Sequence, residues 1–368
     1  MRKHCLSAFF LFLSGLATAQ GSPNTDVGQL RAVLQTASQH AGTQAVEFGM
    51  WQADKEILTT ALGHSMTSVP ATTDMHWRVG GISELFEGTL LMMLVERHQI
   101  DLDQKISKWF PDLLGADKVT VRMLISCTAG YPDYVPNADF EKLVTNEPYR
   151  QFTDDELIAY SVSGGKLSYE PGTSQRYSHT ELVILGQILQ RATGKSIQEL
   201  YQTYILNPNG LNDTKVPTNQ EIQAPVLHAF TKDRGIYEDC TYYNASWGSI
   251  PGILTSNLRD LGKWGRLFGT GALLTPQSWA TMTAPSSVGL GGNRPDLHFC
   301  YGFIYANGWY VQNPSMNGYS GAFAYNPANG ITLVVAATKN ENPTVDPGAI
   351  YILKEVIKTV TPETPLNF

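Results

Sequence analysis

Positive charge, cysteine, paired histidines and long apolar runs are all in short supply in this sequence. Acidic residues outnumber basic ones 33 to 26, and the formal net charge is −7. No basic stripe offsets that balance, which argues against a nucleic-acid partner or a hold on anionic membrane. The eight histidines show no paired ligand spacing, so neither a catalytic metal nor a cofactor is expected. Beyond the N-terminus no apolar run is long enough to span a bilayer. There is no internal repeat and no low-complexity segment.

Cysteine is limited to Cys5, Cys127, Cys240 and Cys300. Cys5 falls in a segment with the layout of an export signal. Arg2 and Lys3 supply its positive start, Cys5 to Leu16 its short apolar run, and Ala17-Thr18-Ala19 its small-residue cleavage pattern. Residues 1–19 are therefore expected to be removed after Ala19, giving a secreted or periplasmic chain. In such a compartment one disulfide can form, with Cys240–Cys300 as the favoured pairing; three buried free thiols is the alternative.

What is present reads as an α/β chain. Val27, Leu30, Val33, Leu34, Ala37 and Ala41 follow helical spacing. "AVEFGMW" and "EILTTAL" read as a hairpin around Asp54-Lys55. Ile82 to Val95 is apolar on most faces, so that helix is expected to be buried. Gly88 inside it implies close packing against a neighbour. Glu181 to Thr193 reads as a further helix stopped by Gly194, and "SNLRDLGKWGRLF" as another. "CYGFIY", "GWYVQ", "SGAFAYN" and "ITLVVAAT" read as strands, with Asn329-Gly330 as a hairpin turn. The tail "AIYILKEVIKTV" closes as a helix. The expected organisation is an α/β lobe from residues 20–99 and 246–368, with a mostly helical lobe at 100–245.

Three stretches in order, "IDLDQKISKWFPDLLGADKVTVRMLISCTAGYPDY", "YEPGTSQRYSHTELVILGQILQRATGKS" and "GYSGAFAYNPANGITLVVAATKN", resemble the serine β-lactamase and penicillin-binding-protein superfamily. The likeness is to its class C β-lactamase, DD-peptidase and esterase branch, over about Val27 to Val360. It implies a β-lactamase/transpeptidase-like fold, an antiparallel sheet flanked by helices with a large helical insertion. It also implies acyl transfer through a serine, with a lysine one helical turn later. Here the serine position falls on Gly81 and the lysine position on Glu84. The branch's Tyr-x-Asn motif falls on Tyr177-Ser178-His179, and its third motif near Gln312-Asn313-Pro314. The acyl-serine route is then closed at its usual place.

Substitutes for the serine fail on context. Ser83 lies two residues along the helix from position 81, about 160° round its axis. Ser163-Gly-Gly-Lys166 sits in a glycine-rich loop, Ser320 in a strand, and "GLGG" at 289–292 lacks a phosphate loop's strand and lysine. Cys127 reads as a packed thiol rather than a nucleophile. The resemblance instead places Glu84 opposite Tyr177 and His179, a trio suited to general acid/base work. Gly81 leaves room for a substrate group or water. Trp77, Tyr131, Tyr134, Tyr242, Tyr243, Trp247, Trp309 and Tyr319 supply a dense set of aromatics for a cleft, with Tyr134, Trp247, Gln312 and Tyr319 expected to touch substrate. The expected partner is a small, carbonyl-containing, aromatic or apolar molecule. The activity would be isomerisation, cyclisation, elimination or water-mediated hydrolysis, against a catalytically silent binder or an esterase-like hydrolase with another nucleophile. Oligomeric state cannot be read from these patterns.

Overall fold

A computed structural model describes residues 26–368, and the export signal read at residues 1–19 lies outside them. The first helix, Val27–Ala41, starts where Asp26 accepts the Gly28 and Gln29 N–H groups and ends at Gly42 in the left-handed region. The chain then enters an antiparallel sheet. Its order is Val69–Pro70, Lys55–Met66, Thr43–Gln52, Ile331–Lys339, Tyr319–Asn326, Trp309–Gln312, Ile304–Ala306, Leu297–Phe299, with Ser315–Met316 also paired to Tyr319–Asn326. The two termini meet in the middle of this sheet, because Thr43–Gln52 pairs with Ile331–Lys339.

Ile331–Lys339 is apolar along its length because both faces of the sheet are covered. Leu333, Val335 and Ala337 pack with Val46, Phe48 and Leu30 beneath the helices Val27–Ala41 and Gly348–Val360. Val334 and Ala336 face the other side, with Phe323, Trp264 and Phe268. That second core runs without a break through Ser83–Glu96 to the helices of the 100–245 stretch, including Leu182, Leu185 and Ile188 of His179–Thr193. The mixed α/β architecture, an antiparallel sheet flanked by helices, is the one expected. Among the described residues no helix is long and apolar enough to cross a membrane.

Ser83–Glu96 is buried on every face from Ser83 to Leu94. A Cβ on Gly88 would come within 2.6 Å of the Tyr301 carbonyl oxygen, which is the close packing its position implied. Two expectations are corrected. "CYGFIY" is not one strand: Leu297–Phe299 and Ile304–Ala306 form a hairpin, and Gly302 sits between them at φ +77. A side chain there would strike the Glu84 carbonyl at 2.5 Å, so glycine permits both the turn and its seat on the helix. Nor is there a Cys240–Cys300 disulfide. Cys127, Cys240 and Cys300 are all free and buried, the Cys240 thiol being turned to the Asn317 carbonyl and that of Cys300 toward Thr283.

Candidate active site

The helix Ser83–Glu96 opens with a short turn over Gly80–Ile82, which sets Gly81 and Glu84 on the floor of a cavity of about 270 Å³. Tyr177 and His179 enter from the start of His179–Thr193, and Gln312 from the end of Trp309–Gln312. Pro314 follows two residues on. It has no N–H to offer and interrupts the strand before Ser315–Met316.

Glu84 is fully buried, yet both of its carboxyl oxygens are engaged. The Tyr177 hydroxyl donates to Oε1 at 2.5 Å, and Gln312 Nε2 donates to Oε2 at 2.8 Å. The same Nε2 reaches the Gly302 carbonyl at 2.8 Å, so the misread turn holds Gln312 in place. Burial pushes the Glu84 pKa up to about 7, opposed by the Tyr177 hydrogen bond, the charge of His179 and the Gln312 hydrogen bond. The Tyr177 phenol is pushed well above its ordinary value, first by burial and then by the carboxylate beside it.

His179 does not pair with Glu84. Its Nδ1 lies 3.0 and 3.2 Å from the two carboxylate oxygens of Asp133, and its ring meets Tyr177 edge to face at 4.8 Å. A carboxylate can only accept, so Nδ1 carries the proton shared with Asp133. Nε2, without a hydrogen bond among the described residues, is the nitrogen left for the cavity. Asp133 was missed in the sequence. Its loop is fixed by the buried Glu181 carboxylate, which accepts the Ala129, Gly130 and Tyr131 N–H groups at 2.8 to 3.1 Å. Thr180 and Ser161 hydroxyls hold the Pro132 carbonyl next to it. Only a tertiary contact could have singled out Asp133, since nothing in "GYPDY" marks one acid as a histidine's partner.

Of the expected substrate-touching residues, Gly81, Trp247 and Gln312 line the cavity. Tyr134 and Tyr319 do not. Both are buried structural tyrosines, whose hydroxyls are spent on the Trp247 and Leu227 carbonyls at 2.6 Å. Trp77 and Trp309 are core, and Tyr242 is exposed. The apolar walls come instead from Phe299, Pro251, Ile304 and Met316. The hairpin that brings Phe299 and Ile304 together was hidden because "CYGFIY" reads as one strand.

Among the described residues no serine hydroxyl is hydrogen-bonded to this carboxylate. Ser83 is buried and accepts the Leu254 N–H, while Ser320 accepts the Ala349 N–H on another side of the sheet. Ser163 turns its hydroxyl to its own helix end. Ser315 is on the cavity rim, where its hydroxyl meets only the Tyr319 carbonyl. Burial raises the Cys127 thiol well above its ordinary value, which removes the thiolate that a nucleophile needs.

The sequence model of a family described as Beta-lactamase matches residues 30–357. Penicillin-binding protein 4* of Bacillus subtilis (strain 168) is 30% identical over 151 residues, 40% of this chain and 32% of that protein. A putative D-alanyl-D-alanine carboxypeptidase of Salmonella agona (strain SL483) is 27% identical over 209 residues, 52% and 46% of the two chains. The matches thus span less than half the length of either curated relative. Among solved structures, a D-stereospecific amidohydrolase from Streptomyces sp. superposes with TM-score 0.81 at 23% identity, covering 92% of this chain and 100% of that one. A D-amino acid amidase from Ochrobactrum anthropi SV3, complexed with L-phenylalanine, gives 0.76 at 20%, covering 91% and 99%. At such identities these likenesses establish the fold.

Proposed function

From the premise that this chain belongs to the Beta-lactamase family, we propose that it is an exported member whose acyl-serine site has been rebuilt for general acid/base chemistry. Gly81 takes the place of the nucleophilic serine and Glu84 that of the lysine. The substrate is a small carbonyl compound with an aromatic or apolar body, and the reaction is an isomerisation, cyclisation, elimination or water-mediated hydrolysis. One observation carries this reading. A buried carboxyl titrating at about pH 7, with a phenol at 2.5 Å, forms the floor of the cavity.

A carboxyl that burial raises towards neutrality can both take and return a proton within one turnover. Tyr177 donates to it and serves as the relay by which that proton leaves. His179, its Nδ1–H given to Asp133, presents Nε2 to the substrate as a proton acceptor. The Phe299, Pro251 and Met316 side chains exclude water and seat the apolar body.

The test is an untargeted metabolite comparison of wild type with Glu84→Gln. Compounds consumed by wild type and spared by the variant identify the substrate. A wild type that binds a metabolite yet converts nothing from about pH 5 to about pH 9 would instead be a silent binding protein.

A further inference from the structure

The side-chain amide of Gln312 has only one workable orientation. Its Nε2 faces two acceptors, Glu84 Oε2 and the Gly302 carbonyl. Flipping the amide would set oxygen against oxygen at both. Its Oε1 is therefore turned toward Gly81, where a Cβ would lie 3.1 Å from it and 3.0 Å from Glu84 Oε1. Two oxygens thus converge beside Gly81 at the cavity floor, Gln312 Oε1 and the Glu84 Oε1 that accepts the Tyr177 hydroxyl.

The charge around this space is one-sided. No lysine or arginine lines the cavity, and His179, the one side chain there able to carry positive charge, has Asp133 as its counter-ion. The groups acting on Glu84 are Tyr177 and Gln312 in contact, Glu87 one turn along the same helix, and the charges of His179 and Asp133. Its direct partners are neutral donors, which leave the ionised form without a cation in a buried site.

We propose that this space is a primary-ammonium site: the ligand seats an R–NH₃⁺ group over Gly81, between Glu84 Oε1 and Gln312 Oε1. Two of its three N–H groups meet those oxygens, the third faces the open cavity, and R lies against Phe299 and Met316. A side chain at position 81 would press against both oxygens and disturb the pair that the ammonium meets. This rests on the cavity being the substrate site, and it narrows the substrate to an amino-bearing carbonyl compound.

The probe is benzylammonium chloride, titrated calorimetrically into the full chain, with benzyl alcohol and sodium benzoate as neutral and anionic counterparts. Benzylammonium is expected to bind wild type and to lose about tenfold or more in Gly81→Ala and Glu84→Gln. Its affinity should rise from about pH 6 to about pH 8 as Glu84 ionises. Titrations of wild type near pH 6 in buffers of different ionisation enthalpy should show net proton release, because a bound cation favours the carboxylate; this readout needs no variant to fold. Benzoate or benzyl alcohol binding as tightly, unchanged affinity in a folded Gly81→Ala, net proton uptake, or no benzylammonium binding at all would each overturn the proposal. Binding is read without turnover. A cavity that takes benzylammonium yet converts nothing sinks the catalytic reading alone, and an active enzyme indifferent to it sinks only this one.

Discussion

Glu84 and His179 both line the cavity, each with its own partner. Removing the Glu84 carboxylate by Glu84→Gln is expected to lower turnover by about 10²–10⁴-fold, and His179→Ala by a similar factor, with the fold intact. If the two serve one proton-transfer step, the double variant loses less than the product of the single losses, which steady-state kinetics on all three will show. With Glu84 as base, kcat/KM should rise with pH through about 7, where its carboxyl titrates, and that limb should vanish in Glu84→Gln. Asp133→Asn leaves a partner at Nδ1 that no longer fixes which nitrogen carries the proton, so steady-state kinetics should show a lower kcat with the fold intact. Tyr177→Phe tests the relay: a phenol that moves a proton costs rate, and one that only packs leaves kcat unchanged.

The helix Ser83–Glu96 places two carboxyls in the core, one turn apart. Glu87 is fully buried, neither of its oxygens has a hydrogen-bond partner, and burial raises its pKa well above the ordinary value. Its folded pKa thus lies above its unfolded one, as does that of Glu84. Their contribution to stability is complete below the unfolded value near 4.5 and is lost as pH rises through the folded values. Thermal unfolding should therefore show a melting temperature that falls from pH 5 towards pH 8, and Glu87→Gln should flatten that fall and melt higher than wild type at the alkaline end. The same helix cannot accept bulk at Gly88. There Gly88→Ala forces a Cβ against the Tyr301 carbonyl and Met282, at an expected cost of about 1–3 kcal/mol by denaturant titration.

At the scale of the molecule, the family fold persists over residues 30–357 while position 81 carries no hydroxyl. A fluorophosphonate or penicillin probe should leave the protein unlabelled by intact-mass measurement. Stoichiometric labelling of any serine would contradict the placement of the site. The three buried thiols should be silent toward a thiol reagent in the native state and all react after denaturation; two thiols fewer would indicate the disulfide that the structure lacks.

The sequence by itself determined the local elements and the family. Helical spacing marked Val27–Ala41, an apolar run marked the buried helix that carries Glu84, and the apolar stretches near the C-terminus marked strands. These features were legible because they depend on period, caps and local turns, which neighbours along the chain supply. The positions of Gly81, Glu84, Tyr177, His179 and Gln312 along the chain were legible too, through stretches that resemble the family's motifs. Who touches whom was not. Glu84 takes its hydrogen bonds from residues 93 and 228 positions away, His179 finds Asp133 across 46, and Tyr134 and Tyr319 turn from the cavity to distant carbonyls. A buried polar group must find a partner wherever the fold brings one, and that choice is made by packing between segments. Only the tertiary structure could decide which acid serves the histidine, which oxygen faces the gap at Gly81, and how far burial lifts the carboxyl beside it.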